Sequence, residues 1–152
     1  MEKRKAAGEK LNLKSYINSI LTTARNCPVS LEVTELKADK MIEQGKRIFD
    51  IFNPAANNVN IKIPVNPAFK NEDKTHFDGI EVIRKLTSEG IPVNCTLIFT
   101  PEQALLAAKA GAQFLSPFAG RIDDHLRKIS GMKFDKADYF PASGIEKDGK
   151  LL

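Results

Sequence analysis

The chain has 152 residues, of which 42% are hydrophobic and 28% are charged, as is typical of one globular domain. It carries 23 basic and 19 acidic residues and a net charge of +4; because the basic residues are spread along the chain, this excess does not indicate a nucleic-acid partner. No apolar segment has the length of a membrane span or the pattern of a secretion signal, so we expect no membrane association and a cytoplasmic location.

The first half of the chain is predicted to form two helix and strand pairs. Apolar residues recur at helical spacing between residues 13 and 26, and Pro28 ends that pattern. Residues 29–33 (VSLEV) predict a strand, residues 39–52 predict an amphipathic helix, and residues 59–65 (VNIKIPV) predict a second strand. A polar loop follows.

The second half continues the alternation. Residues 78–89 predict a helix that Gly90 ends, and residues 91–99 predict the third strand. The next helix is predicted to begin with a capping box and to end at glycine; its signals are Thr100, Pro101, Gln103 and Gly111. Residues 113–118 predict the fourth strand, and a loop from Gly120 to Asp124 is expected after it.

This alternation predicts an α/β fold of βαβ units around a parallel sheet. We expect one domain over residues 1–131 and a polar tail, loop or partly disordered, over residues 132–152. Cys27 and Cys95 lack a metal-ligand spacing and are expected to be reduced structural thiols. Asp123 and Asp124 are adjacent, so their side chains diverge, and no metal site is expected there.

One face of each predicted strand is polar. Because side chains alternate along a strand, the apolar residues of the second strand lie opposite Asn60 and Lys62, and the same division recurs in the other three. In the third strand, Val93, Cys95, Leu97 and Phe99 are expected on the apolar face. An open sheet covered by helices on both faces does not favour this pattern, whereas a (β/α)₈ barrel does. The residues expected to line its lumen are Glu32, Lys62, Asn94, Thr96 and Ser116.

Lys62 is the residue that most strongly indicates a chemical function. It lies between Ile61 and Ile63, so burial should lower its pKa and give a neutral amine able to attack a carbonyl and form an imine. The alternative is a purely structural ion pair between Lys62 and Glu32.

Five segments together resemble the transaldolase family in order and spacing over roughly residues 11 to 131. They are SLEV (30–33), NIKIPV (60–65), VNCTLIF (93–99), EQALLAAKAGA (102–112) and FLSPFAGRIDD (114–124). The resemblance implies part of a (β/α)₈ barrel, about strands three to six with their helices. It also implies an enzyme without cofactor that transfers a dihydroxyacetone unit between sugar phosphates through a lysine Schiff base in the pentose phosphate pathway.

The resemblance also implies roles for individual residues. Lys62 takes the imine role, and Glu32 with Thr96 orients a water that moves protons. Asn94, Ser116 and Phe118 bind substrate, and Arg121 binds the substrate phosphate in a loop.

Strands that the family places before and after these segments have no counterpart in this sequence, so we expect a fragment. We expect low or no turnover from the isolated chain. Its open sheet edges would favour a homo-oligomer. Two alternatives remain. A fructose-6-phosphate aldolase tends to have Gln and Tyr where this chain has Glu32 and Phe118, which favours transaldolase. The other alternative is a non-catalytic half barrel that depends on a partner.

Overall fold

The predicted alternation of strands and helices is confirmed. The computed structural model describes residues 12–66, 77–133, 135, 138–141, 143–147 and 149–151. Most of the predicted polar loop after the second strand lies outside these residues, as do parts of the predicted tail. The helices are α1 (Leu13–Ala24), α2 (Ala38–Phe52), α3 (Asp78–Ser88), α4 (Pro101–Ala110) and α5 (Ala119–Ser130). None of these described helices is both long and apolar enough to cross a bilayer.

Four strands form one parallel sheet in sequence order. They are β1 (Val29–Glu32), β2 (Val59–Pro64), β3 (Val93–Ile98) and β4 (Phe114–Pro117). Helices α2, α3 and α4 connect them in turn, so the unit is a run of βαβ motifs that makes up part of a (β/α)₈ barrel. One register row crosses the whole sheet and pairs Glu32 with Lys62, Lys62 with Asn94, and Asn94 with Phe114.

The apolar core lies between the sheet and the helices that cover one of its faces. Ile61 and Ile63 of β2 and Val93 of β3 are fully buried on this side, and α3 contributes Ile83 and Leu86. Helix α3 packs between α2 and α4. Full burial of each such side chain is worth roughly 1.5–3 kcal/mol, so this side of the sheet supplies most of the stability. The opposite face is left for polar groups.

Helix ends follow the local signals in the sequence. Thr100 caps α4, its hydroxyl accepting from the backbone N–H of Gln103, while the Gln103 side chain accepts from the N–H of Thr100, so the predicted capping box is confirmed. Gly111 ends this helix with φ +107°, a left-handed conformation that glycine adopts without strain. Both ends of α4 therefore agree with the sequence prediction.

The end of β3 departs from the predicted alternation. The register between β3 and β4 shifts between Cys95 and Ile98, and Leu97 has φ +58°. This bulge inserts a residue and reverses the faces beyond it. Ile98 is consequently buried, whereas Leu97 is half-buried and Phe99 is 45% exposed. The expectation that Leu97 and Phe99 continue the apolar face was wrong.

The segment after β4 also differs from the prediction. The expected loop from Gly120 to Asp124 is the beginning of α5, and Arg121 lies in its first turn. Ile122, Leu126 and Ile129 recur at helical spacing, and Gly131 follows with φ +70°, so the sequence did contain the signals of this helix.

Residues after α5 are described in part. Glu146–Lys147 (β5) and Lys150–Leu151 (β6) form a short antiparallel pair. The backbone N–H of Phe140 donates to Asp123 Oδ1 at 2.6 Å, which ties this segment to α5. The proposed boundary at residue 131 stays a prediction.

The two cysteines lie in different surroundings. Cys27 is exposed, while Cys95 is fully buried in the core, and both are free thiols. Burial disfavours the thiolate and raises the pKa of Cys95 to about 12. Cys95 is therefore a packing residue with an unreactive thiol.

Candidate active site

Lys62 projects from β2 onto the polar face of the sheet. Its neighbours Ile61 and Ile63 are buried on the helix side, so strand alternation places the amine on the other face, as predicted. Lys62 Nζ lies 3.4 Å from Glu32 Oε2 on β1. The side chain of Lys62 is 27% exposed and that of Glu32 is 49% exposed. The amine is thus less buried than its position between two isoleucines suggests.

This exposure weighs against a purely structural ion pair. Pairs that remain this accessible typically stabilise a fold by about 1 kcal/mol or less, because water screens the charges. An apolar side chain would serve β2 as well or better at the same position. The pair itself therefore adds little to the stability of β2.

Asn94 joins three strands through its amide. Its Nδ2 donates to Ser30 Oγ on β1 at 2.9 Å, and its Oδ1 accepts from Ser116 Oγ on β4 at 2.8 Å. Strands two apart in a flat sheet are separated by about 9.5 Å, which is too far for such short side chains to meet. The contact between Ser30 and Asn94 therefore requires a concave face, as the inside of a barrel provides. We call this face the lumen face; it carries Ser30, Glu32, Asn60, Lys62, Asn94, Thr96 and Ser116.

Thr96 is fully buried on β3, one position before the bulge residue Leu97. Its hydroxyl has no hydrogen-bond partner within the described ranges. Leaving a buried hydroxyl unpaired costs roughly 1–3 kcal/mol. Backbone irregularity and an unsatisfied polar group at the same place are typical of a functional position rather than a packing position.

Phe118 and Arg121 lie at the end of β4. Phe118 precedes the first residue of α5, and its ring contacts that of Phe99 edge to face with centroids 5.6 Å apart. Arg121 is exposed and lines an open groove of about 500 Å³ with Phe118 and Tyr139. Phe118 and Arg121 were predicted to form one site with Lys62, but no described contact joins Arg121 to the lumen-face residues.

The groove contains a second arginine that is already neutralised. Arg127 pairs with Asp123 at 2.9 Å and with Asp124 at 3.0 Å. Arg121 has no ion pair with any residue that the structure describes. The groove therefore presents one guanidinium that is not committed to a carboxylate, close to a helix N-terminus.

Sequence reasoning gave no role to Ser30 and missed Gln44 altogether. Ser30 shares the face of Glu32, and strand alternation was the signal that could have identified it. Gln44 lies on α2, and its Oε1 accepts from the backbone N–H groups of Thr34 and Glu35 at 2.8 and 3.1 Å. It fixes the chain that leaves β1 just beyond Glu32. No local pattern in the sequence indicates this contact.

The lumen face thus presents an amine, a carboxylate, two serine hydroxyls, a threonine hydroxyl and two carboxamides. In the described part of the chain, no group of three or more His, Cys, Asp or Glu side chains is placed to hold a metal ion. An amine with a neighbouring carboxylate can form an imine with a carbonyl compound and transfer protons during its reactions.

Known proteins share much of this sequence. The chain matches the family model described as "Transaldolase/Fructose-6-phosphate aldolase" over residues 2–146. It is 50% identical over 97 residues to a protein of Desulfatibacillum aliphaticivorans named "Probable transaldolase", an alignment that covers 64% of this chain and 39% of the relative. Relatives of the same name from Cereibacter sphaeroides and Nitrosopumilus maritimus are 44% and 42% identical over 119 and 116 residues. Those alignments cover 75% and 76% of this chain, but 48% and 46% of the relatives. The chain thus spans less than half the length of these relatives.

Proposed function

Because this chain belongs to the transaldolase/fructose-6-phosphate aldolase family, we propose that it carries the imine-forming lysine of a transaldolase. The reaction moves a dihydroxyacetone unit from a ketose phosphate to an aldose phosphate, a step of the pentose phosphate pathway. The proposed substrates are accordingly sugar phosphates. The observation that supports this most is the position of the Lys62 amine, which lies on a concave polar face 3.4 Å from the Glu32 carboxylate.

In the proposed reaction, the neutral amine of Lys62 attacks the ketone carbon of the donor, and loss of water gives a protonated imine. Deprotonation of the hydroxyl on the fourth carbon breaks the bond between the third and fourth carbons, and the electron pair moves into the imine to give an enamine. The shortened aldose phosphate leaves. The enamine then attacks the aldehyde of the acceptor, and water releases the new ketose and restores the amine. A base must accept protons and return them.

Glu32 and Thr96 are the proposed pair for this proton transfer, acting through a water. The hydrogen bond between Ser30 and Asn94 crosses β2. Asn94 lies two residues beyond the position of β3 that is in register with Ser30. Glu32 and Thr96 are related by the same two-residue offset, because barrel strands are tilted and alternate strands contribute to one layer. The buried Thr96 hydroxyl, which has no described partner, suits a hydrogen bond to that water.

Arg121 is proposed to bind the phosphate of the sugar. Its guanidinium is exposed in the first turn of α5, where the helix dipole also favours an anion. The Arg121→Ala variant should bind fructose 6-phosphate roughly 10- to 100-fold more weakly, since a charge-assisted hydrogen bond is worth about 1.5–3 kcal/mol. Fructose affinity should not change. Calorimetric titration with both sugars measures this difference, with Arg84→Ala on the exposed side of α3 as the matched control. Equal losses for the two sugars would contradict a phosphate role.

A homo-oligomer is also proposed. Among the described strands, none pairs with the outer edge of β1 or of β4. Exposed edges with free backbone groups favour pairing with another chain, and Phe114 and Leu115 on β4 are 44% and 39% exposed.

Borohydride trapping with fructose 6-phosphate tests the proposed function. Peptide mass spectrometry then reports the modified lysine and the mass of the adduct. A three-carbon adduct on Lys62 would support both imine formation and cleavage. A six-carbon adduct would support the lysine role, with cleavage requiring groups that this polypeptide does not supply. No adduct on Lys62 in folded protein would contradict the proposal and favour a non-catalytic half barrel.

A further inference from the structure

The hydroxyl of Ser30 lies on the lumen face and has a single described side-chain contact. It accepts the hydrogen bond from Asn94 Nδ2 at 2.9 Å. Ser30 is exposed and belongs to β1, so its bond reaches over β2 to β3. One accessible hydroxyl bond contributes only about 0.5–1.5 kcal/mol to stability, and the fold does not depend on it.

The two serine contacts together hold the Asn94 amide in place. A carboxamide has two N–H donors and two lone pairs on its oxygen. Ser30 takes one donor on the β1 side, and Ser116 occupies one lone pair on the β4 side at 2.8 Å. The amide plane is thereby fixed between the two strands, with one N–H and one lone pair left for a ligand. Without Ser30, only the hydrogen bond from Ser116 would restrain rotation about the terminal torsion of Asn94.

Asn94 shares its register row with Lys62. A ketose bound as an imine to Lys62 carries a hydroxyl on each carbon next to the imine carbon, and a fixed amide can donate to one and accept from another. We propose that Ser30 is a positioning residue that holds the Asn94 amide in the orientation that binds these hydroxyls. This inference rests on the proposed function.

The contact itself is tested without activity. In ¹⁵N-labelled protein, the side-chain amide signals of Asn94 are assigned through an Asn94→Asp variant and compared between the parent chain and two substitutions. Ser30→Ala should shift the two proton signals of Asn94 and speed their exchange with solvent. Ser30→Thr keeps the hydroxyl and should leave them near their original positions. Ser88→Ala serves as the control. It removes a comparable exposed hydroxyl on α3, and that hydroxyl donates to the Lys85 carbonyl.

The functional consequence is measured by the concentration dependence of trapping on Lys62. Ser30→Ala should raise the half-saturating concentration of fructose 6-phosphate about five- to tenfold, as expected for one weakened neutral hydrogen bond, and change the limiting rate less than about threefold. Ser30→Thr should restore parental behaviour.

Two results would overturn the inference or part of it. Unchanged Asn94 signals in Ser30→Ala would exclude the contact, whatever the activity. Shifted signals with unchanged half-saturation would exclude its role in binding. If the parent chain forms no adduct, the proposed function fails instead, and the amide spectrum alone then decides whether Ser30 holds Asn94.

Discussion

The Lys62→Met variant is expected to form no borohydride-stable adduct with fructose 6-phosphate at the position that is modified in the parent chain. Methionine keeps an unbranched stem between the buried Ile61 and Ile63 but has no amine to attack a carbonyl. Total adduct should fall below about 1% of the parental amount, because the nucleophile itself is removed. Intact mass spectrometry after reduction measures this directly.

A matched control separates the specific amine from lysine reactivity in general. Lys85 on α3 also pairs with a carboxylate, Glu89, at 3.1 Å, and its side chain is 53% exposed. Lys85→Met should leave adduct formation unchanged. Since Lys62 is partly accessible, its replacement should change the free energy of unfolding by less than about 1 kcal/mol. Equal adduct in parent and Lys62→Met, on any lysine, would contradict the role assigned to Lys62.

The Gly79→Ala variant is expected to lose about 3 kcal/mol of stability. Gly79 lies in the first turn of α3, directly over the end of β2, and an added Cβ would meet the backbone carbonyl oxygens of Pro64 and Val65. Overpacking of this kind costs typically 1–3 kcal/mol, and here the obstructing atoms are backbone, which cannot rotate away as a side chain can. This overlap can be relieved only if α3 moves away from β2, the strand that carries Lys62.

Urea denaturation followed by circular dichroism measures the loss, with the slope of the transition checked for constancy. Gly120→Ala in α5 is the control, because an added Cβ there has no atom within 4 Å. Alanine also favours a helix by up to about 1 kcal/mol over glycine, so this variant should be neutral or slightly more stable. Similar stability of the two variants would exclude the tight contact between α3 and β2.

Most of the fold was predictable because its signals are local. The capping box at Thr100 and the glycine that ends α4 act within a few residues of the helix ends, and the structure confirms both. The helix after β4 was missed although Ile122, Leu126 and Ile129 have helical spacing. The bulge at Leu97 could not be predicted, since neither leucine nor its neighbours favour a positive φ. It depends on how β3 pairs with β4.

The sequence by itself determined the order of strands and helices, the polar face of the sheet and the position of Lys62 on it. These follow from the two-residue period of strands and the 3.6-residue period of helices, which any fold of this chain must satisfy. Only the tertiary structure decided which polar groups meet. The contact of Ser30 with Asn94, the exposure of Lys62 and the close approach of Gly79 to β2 depend on sheet curvature and strand stagger. Those quantities are set by packing between residues far apart in the chain, and no local pattern records them.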